Sequence, residues 1–332
     1  NEISFIEKDN RLSIVSVMEL DISKRLSELK LMPRDYQTAI MDACIANVKG
    51  IVRACTSSGK SLAIAMVTAK INKPTIIYVI GLDLLQQFHD LFSSIFEEKI
   101  GFVGNGVCDI QRINIVSIWT LGRALKLDKK SLLSDDDDED GEKELNPTQN
   151  QKIIDMLAKN KINFFDESHI ITTSTTAAIY KHIDPERIYG FSGTPFRDDN
   201  TDLLIHGFLG DKIIDVSSTD LIQRKIIAQP IIQFISVPKL RLSNNVYTSV
   251  YKEYITENDI RNELIIKHSK KLLDKKYVPL VLFKQIKHGK VLFEMMKEQG
   301  IRCAMLYGND SLEDRTEVKR QITNKEIDLI IA

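Results

Sequence analysis

The stretch "GIVRACTSSGKSLAIAMVTAK", residues 50–70, decides how the rest of the chain is read. An apolar, β-branched run, "GIVRAC", stops at a short polar loop, "TSSG", and a helix-forming run, "KSLAIAMVTAK", follows at once. That order of strand, tight turn and helix aims the first backbone N–H groups of the helix at an anion held in the loop. Thr56, Ser57, Ser58 and Gly59 form the cradle, Lys60 reaches the terminal phosphates of a triphosphate as a point charge, and Ser61 offers its hydroxyl to a magnesium ion. Two positions depart from the usual phosphate loop. Ala54 stands where its first glycine is expected and still allows a tight turn, and Ser57 lacks the φ freedom of a glycine.

"GKS" alone is a short signal, and its meaning depends on a companion. About a hundred residues further on, "INFFDESHI" reads as an apolar strand ending in Asp166 and Glu167. An aspartate at the tip of a strand beside a phosphate loop is placed to hold magnesium, and the adjacent glutamate to polarise an attacking water. Lys60, Asp166 and Glu167 are therefore the candidate catalytic residues of a nucleoside-triphosphate site, with Ser61 and Asp166 as its magnesium ligands.

The surroundings repeat the same alternation. Near-continuous apolar runs, "TIIYVI", "INIVSI", "INFFD" and "RIYGFS", are separated by helical stretches, which predicts an α/β fold with a parallel sheet covered on both faces. A second series, "PIIQFISV", "VPLVLF", "IRCAMLY" and "IDLIIA", predicts further strands, with helices at about 260–275, 290–299 and 312–324. The expected organisation is a small β-hairpin appendage at 1–28, built on "ISFIEKDNRLSIVSV", a first domain at 29–222 and a second at 223–332. The last strand reaches Ala332 without a closing helix, so the second domain is expected to be partial and the natural chain to continue.

The formal net charge of the 332 residues is -1, but "DDDDEDGE" alone carries seven acidic residues between Asp135 and Glu142. Without them, 39 acidic residues face 45 basic ones, a mildly basic body that permits phosphate contacts without demonstrating any. The segment around that block, 131–150, has no periodicity and repels itself, which predicts a mobile, solvated insertion in the first domain. Cys44, Cys55, Cys108 and Cys303 lack the close pairing of metal or redox sites and read as reduced thiols. No apolar run reaches the roughly 18 residues of a membrane span, and "NEISFIEKDN" lacks the features of a signal peptide. The expectation is a cytoplasmic protein of phage, bacterial or nuclear origin, foremost in a phage-infected or bacterial cell, without a membrane partner.

Two more stretches narrow the class: "LMPRDYQTAI" upstream of the loop and "YGFSGTPFRDD" after the acidic pair. With these in place the chain resembles helicase superfamily 2, whose members carry a glutamine motif, a phosphate loop, a DExH box and a Ser-(Ala/Gly)-Thr motif in this order. The resemblance covers about residues 30–332 and implies two RecA-like domains, ATP and Mg2+ as cofactors, and a nucleic acid as partner. It implies that Gln37 reads adenine through its amide with Arg34 as neighbour, and that His169, Ser192, Gly193 and Thr194 couple nucleotide state to the nucleic-acid track. Where the family has a Pro-Thr pair, this chain has Ile80, Gly81 and Leu82, so a backbone amide near Gly81 would have to replace a hydroxyl. Thr120 falls where a backbone-contacting threonine is expected, and Trp119 beside it reads as buried.

In the second domain, "PLVLFKQIKHGKVLFEMMKEQGIRCAMLYGNDSLEDR" looks like phage branch-migration helicases of the UvsW type, as do "TSSGKS" and "FSGTPFRDD". Lys284 and Lys290 are the candidate track residues there. The resemblance implies a monomeric DNA translocase that remodels Holliday junctions, forks and R-loops, moving along one strand through phosphate contacts. An RNA helicase, or an ATP-gated nucleic-acid clamp within a larger complex, are the alternatives. In this superfamily an arginine finger and an ATP-sensing aspartate come from motifs that would follow Ala332.

Overall fold

The computed structural model describes residues 18–125, 145–168, 178–194, 202–238, 246–308, 310 and 312–332. The chain divides into two units, 1–229 and 230–332.

The first unit is built on one sheet. Its strands are β1 (Lys49–Ala54), β2 (Thr75–Val79), β3 (Gly101–Gly104), β4 (Val107–Asp109), β5 (Ile113–Ser117), β6 (Ile162–Asp166), β7 (Arg187–Ser192) and β8 (Lys212–Val216). They lie in the order β4-β3-β5-β2-β6-β7-β1-β8, parallel throughout except for β4, which returns antiparallel to β3. Successive side chains on a strand go to opposite faces, and here both faces are buried. Val52, Ile77, Val79, Phe164, Tyr189 and Phe191 enter one core, while Ile51, Ile76, Tyr78, Phe165 and Ile188 enter the other. Burial on both sides is why the strands read as continuous apolar runs. Tyr78 stacks on Phe165 with ring centroids 4.3 Å apart, and each such buried ring contributes roughly 1.5–3 kcal/mol of transfer free energy.

Helices cover the sheet: α1 (Ser23–Glu28), α2 (Asp35–Ala46), α3 (Lys60–Ile71), α4 (Leu82–Ile95), α5 (Ile118–Ala124), α6 (Pro147–Lys159), α7 (Asp202–Leu209) and α8 (Ser218–Gln223). The end of α2 is held from β7, where Arg187 Nη1 donates to the carbonyls of Cys44, Ile45 and Asn47 at 3.0–3.1 Å. The Tyr189 hydroxyl bonds the Cys44 and Asn47 carbonyls as well, so two side chains of β7 satisfy the carbonyls at this helix terminus. α3 stops at Asn72, which takes a left-handed φ of 51° and donates its backbone N–H to Thr68 O.

Three expectations change. The predicted hairpin at the N-terminus lies outside the described residues for its first 17 positions, but 18–28 belong to the first unit: Leu26 of α1 is in its core and Leu20 N donates to Ala69 O. The boundary moves from 222 to 229 because Ile226 and Ile227 pack against the first core. The end of the acidic insertion is ordered as a helix. Asn146 and Gln149 exchange reciprocal side-chain to backbone hydrogen bonds at 2.9 Å, Pro147 takes the first helical position, and α6 begins there. Residues 126–144, including the acidic block, lie outside the described residues.

The second unit contains α9 (Tyr247–Tyr251), continued by a π-turn at Lys252–Thr256, α10 (Asp259–Asp274), β9 (Leu280–Val281), α11 (Ile286–Glu298), β10 (Cys303–Met305), α12 (Leu312–Thr323) and β11 (Leu329–Ile331). Its three strands are parallel in the order β10-β11-β9, over a core of Ile266, Met296, Ile301, Leu329 and Ile331. The strand predicted from "PIIQFISV" is absent. Residues 230–237 carry the alternating pattern, yet no described neighbour pairs with them, and Ile231 and Phe234 are each 93% exposed. An alternating pattern makes a strand only where a ladder partner meets it.

Candidate active site

Parallel pairing puts the carboxyl ends of the first unit's central strands on one edge, the edge where ligands bind in open α/β sheets. The register does more. Arg53 of β1 sits opposite Ser192 of β7, and Phe191 of β7 sits opposite Asp166 of β6. The loop after β1, the acidic pair and the Ser-Gly-Thr stretch therefore emerge side by side, although some 140 residues separate the first from the last.

The loop 55–59 turns tightly into α3. Ser57 adopts φ 66° and Gly59 φ 78°, so the serine at the usual glycine position takes the left-handed conformation a glycine would have taken, at a cost of about 1–2 kcal/mol. A Cβ on Gly59 would lie 2.4 Å from Gln37 Nε2. Three side chains hold the loop from below. Tyr36 donates its hydroxyl to Ser58 O at 2.8 Å, Gln37 Nε2 donates to Ser58 O and Gly59 O at 3.2 Å, and Arg34 Nη1 donates to the Tyr36 hydroxyl at 3.0 Å. Arg224, just beyond α8, lies over the Tyr36 ring at 5.7 Å. Tyr36 and Arg224 were not among the sequence candidates. The contacts that give them a role span 22 and 188 positions, a separation with no local sequence signal.

At the start of α3, Lys60 Nζ bonds Glu167 Oε1 at 2.8 Å and lies 3.7 Å from Asp166 Oδ1. The predicted catalytic trio is thus in contact. Lys60 and Asp166 are nearly buried, with side chains 11% and 7% exposed, and Glu167 is 30% exposed. Burial pushes the Asp166 carboxyl above its ordinary range against the pull of Lys60, and Glu167 adds to the push. Its Oδ1 accepts no hydrogen bond among the described groups, and neither does the buried Ser58 Oγ have a partner. Glu167 itself has φ 52°, a strained backbone of the kind that gathers at functional sites. Ser192 Oγ donates to Glu167 Oε2 at 3.3 Å and accepts from Thr194 N at 3.1 Å. Gly193 lies against the loop, since a Cβ there would come within 3.4 Å of Cys55 Cα and 3.5 Å of Thr56 N.

These groups suit a triphosphate and its metal: N–H groups at a helix start, an ammonium, a nearby hydroxyl on Ser61 and a buried carboxylate oxygen with no hydrogen-bond donor. Among the described residues there is no cluster of three or more His, Cys, Asp or Glu able to hold a metal. A divalent ion here would take Asp166 and Ser61 and complete its shell from phosphate and water, as magnesium commonly does.

Other candidates are placed differently. His169 and the rest of 169–177 lie outside the described residues. Gly81, with φ 79°, opens α4 at the end of β2 on the same sheet edge. Thr120 is 2% exposed on the first turn of α5, so its expected surface contact is corrected: the side chain faces the protein interior. Trp119, read as buried, is only half-buried. In the second unit Lys284 and Lys290 are exposed around the start of α11, while His288 is buried and its Nε2 lies 2.9 Å from Asn262 Oδ1.

Known proteins resemble this chain in sequence and in fold. Residues 30–197 match the family described as "Type III restriction enzyme, res subunit". "Putative helicase 22" of the Sulfolobus islandicus filamentous virus is 24% identical over 328 residues, covering 90% of this chain and 55% of that protein. The chain thus spans about half the length of this curated relative. Among solved structures, the helicase MrfA bound to DNA and AMPPNP superposes with a TM-score of 0.57 at 14% identity, over 94% of this chain and 43% of that one. S. cerevisiae Dbp5 bound to RNA and ADP BeF3 gives 0.55 at 14% identity, over 94% and 73%. T4 UvsW is matched as well, at 0.42 and 19% identity, over 94% and 61%.

Proposed function

Because the chain belongs to the type III restriction enzyme res-subunit family, within helicase superfamily 2, we propose that it is the motor of an ATP-driven nucleic-acid translocase acting on branched DNA. The observation that carries the reading is Lys60, held between Glu167 and Asp166 at the mouth of the phosphate loop. When a triphosphate enters, Lys60 exchanges its carboxylate partners for phosphate oxygens. Asp166 and Ser61 would hold a magnesium ion, which would neutralise charge on the phosphates. Glu167, released from Lys60 and still bonded to Ser192, would orient and deprotonate the attacking water. Ser192 bonds Glu167 and, through Thr194 and Gly193, touches the loop, so the three form a route by which the nucleotide state reaches the nucleic-acid track, with His169 as a further member.

DNA is the proposed track. Residues 230–332 hold 18 basic and 13 acidic residues, and Lys284, Lys290 and the Gly81 backbone are the proposed phosphate contacts. Branch migration of junctions, forks and R-loops, hence a role in recombination, repair or replication, rests on the resemblance of 279–315 to phage enzymes of that type. The test is ATP turnover by the full chain with single-stranded DNA, forked DNA and RNA. Forked DNA is expected to stimulate most, and Glu167→Gln to keep ATP binding while losing about a hundredfold or more of turnover. Stimulation by RNA alone would overturn the choice of track, and full turnover by Glu167→Gln would overturn the assignment of the base.

A further inference from the structure

Helix α10 carries a row of lysines that its own unit leaves unmatched. Lys267, Lys271 and Lys275 follow one another at four-residue spacing, so they lie along one stripe of the helix surface. Lys276 comes next, in the turn after α10, with φ 62°. All four are exposed, while Ile266 and Ser269 turn to the protein interior. None of the four has an ion pair or a side-chain hydrogen bond among the described residues. Three other cations of the unit are matched: Lys252 by Glu257, Arg302 by Asp328, and Arg320 by Glu317 and Glu326. Glu263 and Asp274 are the acidic residues on the stripe, and with Lys270 beside them the row stays positive. A cation in the last turn of a helix answers the partial negative charge of its C-terminus, but that effect falls off within the turn. It accounts for Lys271 and Lys275 and leaves Lys267, about two turns before the end of α10 at Asp274. Like charges four residues apart also repel and destabilise a helix, so the row works against the fold and suits an anionic partner.

The place of the row in the unit narrows that partner. α10 and α11 run side by side in the same direction, joined near their starts by Asn262 and His288 and further along by Lys270 and Gln299. α11 begins beyond the carboxyl end of β9, so its start lies at the carboxyl edge of the three-stranded sheet, and its last turn, with the end of α10, lies at the amino edge. The length of α11, about 20 Å, separates the row from Lys284 and Lys290. A strand lying on those two lysines leaves the row unused, whereas branched DNA brings a second arm. From Lys267 to Lys275 the row is about 12 Å long, and a DNA duplex presents one charge per about 1.7 Å of its axis, so one backbone can meet all of it. Tyr277, exposed and next in the chain, adds a hydroxyl of the kind that bonds phosphate. Resting on the branched-DNA reading above, we infer that Lys267, Lys271, Lys275 and Lys276 form a second contact, which holds the backbone of a duplex arm while the strand being moved lies on the track.

The test is DNA binding by the full chain and by a variant carrying Lys267→Gln, Lys271→Gln, Lys275→Gln and Lys276→Gln together, since glutamine keeps the helix propensity of lysine. Two probes are compared across salt concentrations: a single strand, and the same strand joined at one end to a duplex arm. In the unaltered chain the arm should tighten binding by about tenfold or more. The variant should lose that gain, and on the armed probe its log affinity should fall with log salt by a slope smaller by about 3–4, near 0.9 for each lost phosphate contact. Its affinity for the single strand should stay within about twofold, because the track is untouched. Lys284→Gln with Lys290→Gln should instead weaken both probes alike. Equal loss on the two probes would put the row on the track, and no loss on the armed probe would make it a solvated helix face; either result overturns the inference and leaves the translocase reading intact. If the unaltered chain binds neither probe, the choice of DNA as the track falls as well. Should the fourfold variant not fold, Lys267→Gln alone decides, with a slope change of about 0.9 on the armed probe only.

Discussion

Replacing Asp166 by asparagine should make the protein more stable and less able to use its metal. The carboxylate is nearly buried, its Oδ1 accepts no hydrogen bond from the described residues, and burial raises its affinity for a proton. Because the folded state holds that proton more tightly than the unfolded chain does, the charged form costs stability at neutral pH. Its contribution is favourable only below the ordinary aspartate range and is lost as pH rises through the raised folded value. Asparagine copies the neutral form. Asp166→Asn is therefore expected to be the more stable protein at pH 7.5, and for a unit of this size each 1 kcal/mol of gain raises Tm by about 2–4 °C. Scanning calorimetry across pH should show the gain shrinking as pH falls and vanishing below about pH 4. Added Mg2+ and ATP should reverse the ranking, because a bound ligand at a hundred times its Kd stabilises by about 2.7 kcal/mol and only the carboxylate can hold the metal. A variant that melts lower than the parent at neutral pH would refute the reasoning, since the charge would then be supporting the fold.

Gly59→Ala should abolish nucleotide binding, because a φ of 78° and the contact with Gln37 both oppose a side chain. Gly207→Ala, in α7 with nothing near the added carbon, should instead raise stability by up to about 1 kcal/mol, and thermal melts of the pair check both. Arg187→Leu should cost about 1–3 kcal/mol in urea unfolding by removing the guanidinium from the end of α2, where the Tyr189 hydroxyl stays bonded to the Cys44 and Asn47 carbonyls.

Much of the first unit was legible in the sequence because its strands are buried on both faces and so appear as unbroken apolar runs. The trio Lys60, Asp166 and Glu167 was legible for a related reason: Lys60 begins α3, Asp166 ends β6 with Glu167 next to it, and parallel strands carry such positions to one edge. What was missed is of another kind. β8 reads "KIIDV" and is only partly buried at the sheet edge, so its pattern carries no clear period. β3 and β4 are short, and only the Asn105-Gly106 turn marks them, both residues having positive φ. The capping pair Asn146 and Gln149 was present in the sequence but sat against the acidic block, whose charge dominated the reading. In the second unit the alternating run at 230–237 predicted a strand, and pattern alone could not supply the neighbour it needs. The loop-holding role of Gln37 depends on which way an amide faces, which a sequence does not encode locally.

The central claim is that one ammonium, one hydroxyl and one buried carboxylate serve a single bound magnesium triphosphate. Calorimetric titration of ATP and Mg2+ onto the full chain and onto Lys60→Ala tests it most directly. The account predicts one site in the parent, weakened by about tenfold to a hundredfold when the charged hydrogen bonds of Lys60 are removed. Equal affinity in the two proteins would contradict it.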